Sequence, residues 1–188
     1  LIKSGFHESV LVVGAEKTSD TLPDRLEAVR ANGLDAVREA GFGFGPSIAS
    51  ALGMKRYLQR YNLNRDLFYH LAETAHFHAA NNPKAFFSWA LPFEQYSRSP
   101  LVAEPMTVCD QAPPCDGACA VVLKKSPSAN NTSSLKIIGS ASTSAPTGIF
   151  NPIESLSLVA ANESAGQAMK SAGLTVEDLS FADLHDSS

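Results

Sequence analysis

The chain has 188 residues, 44% of them hydrophobic and 18% charged, with a formal net charge of -4 and a pI near 5.7. That composition is ordinary for a globular protein with enough chain for one sizeable core or two small ones. The mild acidity and the 15 scattered Lys and Arg leave no electrostatic footprint for nucleic acid or an anionic membrane, so no nucleic-acid partner is expected.

The first element is Val10 to Ala15 (VLVVGA), a continuous aliphatic run that reads as a strand buried on both faces and is far too short to span a bilayer. Charged residues interleaved with Leu, Ala and Val predict a solvated surface helix from Leu22 to Ala40, broken by the GFGFGP turn at Gly41 to Pro46. Its glycine spacing does not fit a dinucleotide fingerprint, and no strand precedes it.

Ser47 to Tyr61 predicts a helix burying Ile48, Ala51, Leu52, Leu58 and Tyr61, with Asn62 at its C-terminal cap. Asn64 can cap a second helix that runs to Ala80, buries Leu67, Leu71, Ala75 and Ala79, and stops at Asn81-Asn82-Pro83. His70, His76 and His78 on that helix are not four apart, so they read as core-edge or solvated groups and no metal site is expected. Phe86, Phe87, Trp89 and Phe93 form an aromatic segment expected to be irregular and packed on a core.

Cys115 to Leu123 (CDGACAVVL) predicts a second buried strand. The three cysteines, Cys109, Cys115 and Cys119, lack the paired spacing of zinc ligands, and no helix N-terminus or basic neighbour is evident that would lower a thiol pKa. An odd number without a secretory leader argues for reduced, structural thiols. The sequons at Asn130, Asn131 and Asn162 carry no weight, because such triplets arise often by chance.

The polar stretch Lys124 to Ser134 reads as a linker and domain boundary. Beyond it, Leu135 to Ser142 predicts a third strand. Asn151-Pro152-Ile153-Glu154 resembles the start of a helix that ends at Gly173, Thr175 to Asp178 makes a short turn, and Ser180 to Leu184 predicts a fourth strand. Strand, helix and strand joined by a short loop imply a βαβ unit and a parallel sheet. His185-Asp186 follows directly, and a proton carrier beside a carboxylate beyond the carboxyl end of a strand is where open α/β sheets place their chemistry.

Four segments in order resemble the thiolase superfamily, and most closely its sterol-carrier-protein type. They are SVLVVGAEKTSD (Ser9 to Asp20), HAANNPKAFF (His78 to Phe87), VAEPMTVCDQAPPCDGACAVVL (Val102 to Leu123) and AGLTVEDLSFADLHD (Ala172 to Asp186). The resemblance implies an α/β, thiolase-like fold of layered helices and mixed sheets, with about the middle half of the full fold present. Residues 1–125 would be the latter part of the N-terminal domain, with an inserted loop domain at about 18–114. Residues 126–134 would be a linker, and 135–188 the start of the C-terminal domain. The start at Leu1 and the end on a motif fit an internal piece, with both catalytic cysteines of the family outside it.

On the same resemblance, His185 stands where a histidine helps form an oxyanion hole, and Asp186 supports that loop. Ser188 occupies the place of an expected Phe. The implied activity is acyl transfer on coenzyme A thioesters through a cysteine acyl-enzyme, with the thioester as substrate and no covalently bound cofactor. The alternatives are a retro-aldolase acting on sterol side-chain CoA esters with a small OB-fold partner protein, or a non-catalytic acyl- or lipid-binding protein. A homodimer or homotetramer is implied, in the cytoplasm or, in a eukaryote, the peroxisome.

Overall fold

The structure is a computed structural model that describes residues 1–125, 135–145 and 156–185, the Asp24 side chain excepted. It is an α/β fold, as the sequence implies. Strand β1 (Ser9–Glu16) pairs antiparallel with β4 (Gly117–Lys124), Ser9 opposite Lys124 and Glu16 opposite Gly117. Residues 17–116 leave the end of β1 and return to the start of β4, so they form one excursion from the base of a two-stranded ribbon.

Both strands lie where the aliphatic runs predict them, but they are not buried. Leu11 and Val13 on one face, and Val12 on the other, are all exposed, as are Val121, Val122 and Cys119 on the partner strand. Among the described residues, nothing packs over either face to remove this apolar surface from water.

Helix α1 (Pro23–Arg30) starts with Pro at its first turn and covers less than half of the predicted 22–40. A 3-10 turn at Ala31–Gly33 ends it. Beyond that, Asp35 Oδ1 accepts from the backbone N–H groups of Val37 and Arg38, both at 2.9 Å. Such a local side-chain bond offers the backbone an alternative to the helix, and it holds the Asp35 carboxyl below its ordinary range, through Arg38 first. Charge alternation conceals this competition.

Helix α2 (Pro46–Tyr61) ends as predicted, with Asn62 left-handed at φ 50° and its N–H on Leu58 O. Its inward residues are Ala51 and Met54, which pack with Met106 and with the partly buried Leu58, Phe68 and Ala103. The predicted stripe holds at Ala51 and Leu58, but Leu52 and Tyr61 are exposed.

Asn64 caps the next segment, accepting from Asp66 N at 3.1 Å. The first turn is 3-10 (Arg65–Phe68), and α3 (Tyr69–Ala80) follows. That tighter turn rotates the inward face. Phe68, Tyr69, Ala72, His76 and Ala79 point toward neighbours, whereas Leu67, Leu71 and Ala75, predicted to be buried, are exposed. The aromatic segment is irregular, as expected, but Phe86, Trp89 and Phe93 are exposed and not packed on a core. It leads into the short helix α4 (Phe93–Ser97) and the hairpin of β2 (Leu101–Ala103) and β3 (Met106–Thr107).

One buried polar network ties these pieces together. Asp110 Oδ1 accepts from the Tyr96 hydroxyl at 2.7 Å, and Oδ2 accepts from Thr107 N at 2.7 Å and Thr107 Oγ1 at 2.8 Å. Arg65 donates to Pro105 O and Thr107 Oγ1, both at 2.8 Å, lies 3.3 Å from Asp110 Oδ2, and stacks 4.7 Å over the Tyr96 ring. Burial, then the bond to Asp110, drives the Tyr96 phenol well above its ordinary pKa, so it stays a donor.

The remaining residues form a local unit. Thr143 Oγ1 donates to Ala160 O of α5 (Val159–Ala172) at 2.6 Å. Gly139 lies so close to α5 that a Cβ there would run into the backbone oxygen of Ala168, and would also meet Ala172 and Ser171. Gly173 caps α5 at φ 70° and a turn follows at Thr175 to Asp178, both as the sequence predicts; the turn is closed by a reciprocal capping box between Thr175 and Asp178.

The predicted strands at Leu135 to Ser142 and Ser180 to Leu184 form no ladder. The described pairings are all antiparallel, so the expected parallel βαβ pairing is not present among them. A strand exists through its cross-strand bonds, and no described edge meets these segments; Leu135, Ile137, Ile138, Phe181 and Leu184 stand exposed. The predicted linker at 126–134 and the predicted helix start at Asn151 lie outside the described residues.

Two substitutions test this packing. Asp110→Ala strands the Arg65 charge and the Tyr96 and Thr107 donors, and should cost about 3–5 kcal/mol in chemical denaturation. Gly139→Ala should cost about 1–3 kcal/mol, because the atom it meets is helix backbone that cannot swing aside.

Candidate functional site

Where β1 ends and β4 begins, two turns face each other. β1 leads into Lys17-Thr18-Ser19-Asp20, and Pro114-Cys115-Asp116 leads into β4. Asp116 bridges them. Its Oδ1 accepts from Thr18 N at 2.8 Å, Ser19 N at 2.9 Å and Thr18 Oγ1 at 3.4 Å, while Oδ2 accepts from Ser19 Oγ at 2.6 Å. These donors, Ser19 first, hold the Asp116 carboxyl below its ordinary value of 3.8. Lys17 pairs with Asp20 at 2.7 Å on the outer side of the turn.

A pocket of about 500 Å³ opens beside this joint. Its apolar wall is Pro23 and Leu26 of α1, Phe86 of the aromatic segment, and Pro114. Its polar rim is Thr18, Ser19, Thr21, Cys115 and Asp116. No Lys or Arg lines it.

The aromatic side is braced by histidine. His76 Nδ1 lies 2.9 Å from Trp89 O, and a carbonyl can only accept, so that nitrogen carries a proton. The His76 ring also stacks on Phe87 at 5.5 Å with 13° between planes. The single Tyr69 hydroxyl proton is shared between Glu73 Oε1 at 3.0 Å and Leu91 O at 3.1 Å, and burial, then Glu73, raises its pKa. His70 sits exposed beside Glu73, and His78 is exposed on the outer side of α3. No group of three or more His, Cys, Asp or Glu among the described residues is placed to hold a metal ion.

The structure leaves the sequence-predicted site residues apart from this pocket. His185 is exposed at the end of the segment after the Thr175–Asp178 turn, with no hydrogen-bond partner among the described residues, and Asp186 lies outside them. Of the cysteines, Cys115 lines the pocket with an exposed thiol, Cys109 is half-buried, and Cys119 is exposed on the ribbon.

Sequence reasoning missed the Asp116 joint. Its signal was an Asp immediately before one strand and a Lys-Thr-Ser immediately after another, in runs long enough to pair. It also missed Arg65, Tyr96 and Asp110, which are separated by tens of residues and show no local pattern.

No family model matches the chain. Over 187 residues it is 27% identical to an acetyl-CoA acetyltransferase of Methanothermobacter thermautotrophicus, covering 98% of this chain and 48% of that protein. An acetyl-CoA acetyltransferase of Methanocaldococcus jannaschii is 29% identical, again with 98% of this chain and 48% of the relative covered. A non-specific lipid-transfer protein-like 2 of Caenorhabditis elegans is 26% identical over 133 residues, covering 65% of this chain and 32% of the relative. The chain therefore spans about half the length of the acetyltransferases it matches.

Among solved structures, the Ltp2-ChsH2(DUF35) aldolase superposes with a TM-score of 0.73 at 22% identity, over 95% of this chain and 48% of that one. At that identity the likeness is one of fold. The resemblance to thiolases read from four motifs thus holds over nearly the whole chain, and the α/β fold corresponds to about half of a longer one.

The joint makes a pH-dependent prediction. Because the folded Asp116 carboxyl titrates below its unfolded value, its stabilisation is fully present above about pH 5 and is lost as pH falls through the folded pKa. Asp116→Asn should therefore be less stable than the parent at pH 7, with the difference shrinking below pH 3.8. A gap between the two denaturation curves that is constant from pH 7 to pH 2 would contradict the ionised clamp.

Proposed function

We propose that the whole protein is a thiolase-type acyltransferase acting on acyl-CoA thioesters, and that the present chain supplies about half of its fold. The observation that carries this reading is the match of 98% of the chain to two proteins named acetyl-CoA acetyltransferase. In this reading residues 1–125 complete the N-terminal domain, with the inserted loop domain at about 18–114, and 135–188 begin the C-terminal domain. Assembly as a dimer or tetramer belongs to the same proposal.

The chemistry follows from the thioester. A cysteine thiolate attacks the carbonyl carbon, negative charge develops on the carbonyl oxygen, and the bond to the CoA sulfur breaks. CoA leaves as a thiol after taking a proton, and the acyl group passes from the cysteine to a second acceptor. Cys109, Cys115 and Cys119 are not assigned that role; the nucleophile lies outside these residues. His185 would donate an imidazole N–H to the developing oxyanion, a contribution of several kcal/mol when the donor is fixed in advance. Asp186 would support its loop. The exposure of His185 leaves its ring free to meet a substrate brought by the remainder of the protein.

A second reading is favoured by one observation, the fold shared with the Ltp2-ChsH2(DUF35) aldolase. There the protein would cleave a carbon–carbon bond of a sterol side-chain CoA ester together with a small OB-fold partner. The two readings separate on a thiolysis assay, because only the acyltransferase consumes free CoA.

In the complete protein, His185→Ala should lower turnover by about a hundredfold or more, near the effect of deleting one oxyanion donor. CoA binding measured by calorimetry should change little. The 188 residues alone should show no thioester cleavage above background. Cleavage by the isolated chain that a thiol reagent abolishes would return the nucleophile to Cys109, Cys115 or Cys119.

A further inference from the structure

Helix α2 carries a charged outer face that neither its packing nor acyl transfer uses. We propose that this face, built on the row Leu52, Arg56 and Arg60, docks an acidic amphipathic helix of a partner protein. The inference goes beyond the acyltransferase reading and stands without it.

Every charged residue from Ala40 to Arg65 is basic, in a chain whose net charge is -4. Arg65 is committed to the Asp110 network. Lys55, Arg56 and Arg60 form no ion pair among the described residues, whereas Lys17, Arg30 and Arg98, also at the surface, each hold an acid three or four positions away. The helix gathers the uncompensated charge on one side. Ala51, Met54 and Leu58 pack inward, and residues four apart are neighbours along a helix surface, so Leu52, Arg56 and Arg60 form a row on the outer side. Arg56, Gln59, Arg60 and Tyr61 line a shallow recess of about 570 Å³. Beside it, the Tyr57 and Tyr61 rings lie 4.8 Å apart, and Phe68 meets Tyr57 edge-on at 6.0 Å, so this flank is ordered before a partner arrives. Leu52, Tyr57 and Tyr61 remain 41%, 40% and 54% exposed. Arg and Tyr are the side chains that most often anchor protein interfaces.

Charge and spacing select the occupant. Two arginines one turn apart are separated by about 6 Å along the axis, and two carboxylates one turn apart on a second helix have the same spacing. Each guanidinium can then take one carboxylate in a bidentate bond, while an apolar residue a turn further along covers Leu52. A lone phosphate would meet only exposed arginines, and such single pairs hold weakly in water. Nucleic acid or an anionic bilayer would meet the molecule over a wide area, where the net charge of -4 opposes it. A partner helix touches this face alone.

The experiment uses the complete protein and a synthetic helical peptide with one Leu and two Glu at successive turns of one row, read by fluorescence anisotropy. The same peptide with Gln for Glu, free CoA and phosphatidylserine vesicles are run beside it. The Glu peptide should bind, the Gln peptide should bind about tenfold more weakly, and affinity should fall as salt is added. Combining Arg56→Glu with Arg60→Glu should weaken the Glu peptide by about tenfold or more. The same double variant should now bind a peptide with Lys in place of Glu, an exchange of preference that unfolding cannot produce.

No binding of the Glu peptide at low salt, or binding that the double variant leaves unchanged, would overturn the proposal. Binding of CoA or vesicles that depends on Arg56 and Arg60, without binding of the Glu peptide, would also overturn it, by giving the face to a phosphate or a bilayer. None of these outcomes bears on thiolysis by the complete protein, which tests the acyltransferase reading separately.

Discussion

The Asp110 carboxylate is the constraint on which the excursion from the ribbon depends. The apolar core is small, limited among the described residues to Ala51, Met54, Leu91, Tyr96 and Met106. Such a core cannot by itself fix how a long helix, a 3-10 turn and a five-residue helix meet a hairpin. Asp110 can, because its donors come from three pieces: Arg65 of the 3-10 turn before α3, Tyr96 of α4, and Thr107 at the end of β3. A buried carboxylate left alone would be costly. Here the bonds to Tyr96 and Thr107 and the Arg65 charge offset that cost.

A second carboxylate, Asp116, does for the base of the ribbon what Asp110 does for the excursion. It locks the turn leaving β1 to the turn entering β4, so the excursion departs and returns at one fixed point. The pocket lies at this point because three segments converge there: α1, the aromatic segment, and the Pro114–Asp116 turn. The ribbon itself is less complete. Two strands with apolar side chains exposed on both faces are marginal in water without further packing. Both faces of β1 and β4 would be stabilised by further polypeptide, in cis or from a second copy, and the doubled length of the matched acetyltransferases is in keeping with this.

The sequence was most legible where structure is local. The Asn62 and Gly173 caps and the Thr175–Asp178 turn are each set by a few neighbouring residues, and each is where the pattern put it. Aliphatic runs located β1 and β4 but overstated their burial, because burial belongs to whatever packs on a strand. The face of α3 was misread since periodicity assumes an α-helical first turn, and Arg65–Phe68 is 3-10. The long helix predicted from Leu22 ends at Arg30 in a 3-10 turn, and beyond that turn the Asp35 side chain takes N–H groups a continuing helix would have used. Leu135 to Ser142 and Ser180 to Leu184 have strand-like composition but no partner edge among the described residues. The site divides the same way. The motif containing Asp116 was visible, but its bond to residues some hundred positions earlier was not. His185 and Asp186 came from resemblance, and His185 stands exposed at the end of the described residues.

The proposed acyl transfer would run through a cysteine outside residues 1–188. The most direct measurement is to incubate the complete protein with radiolabelled acetyl-CoA, quench it in acid, and map the labelled peptide. The account predicts one acetylated cysteine, outside residues 1–188, whose label is discharged by free CoA. A label on Cys109, Cys115 or Cys119, or no covalent acetyl group in a protein that turns over acyl-CoA, would contradict it.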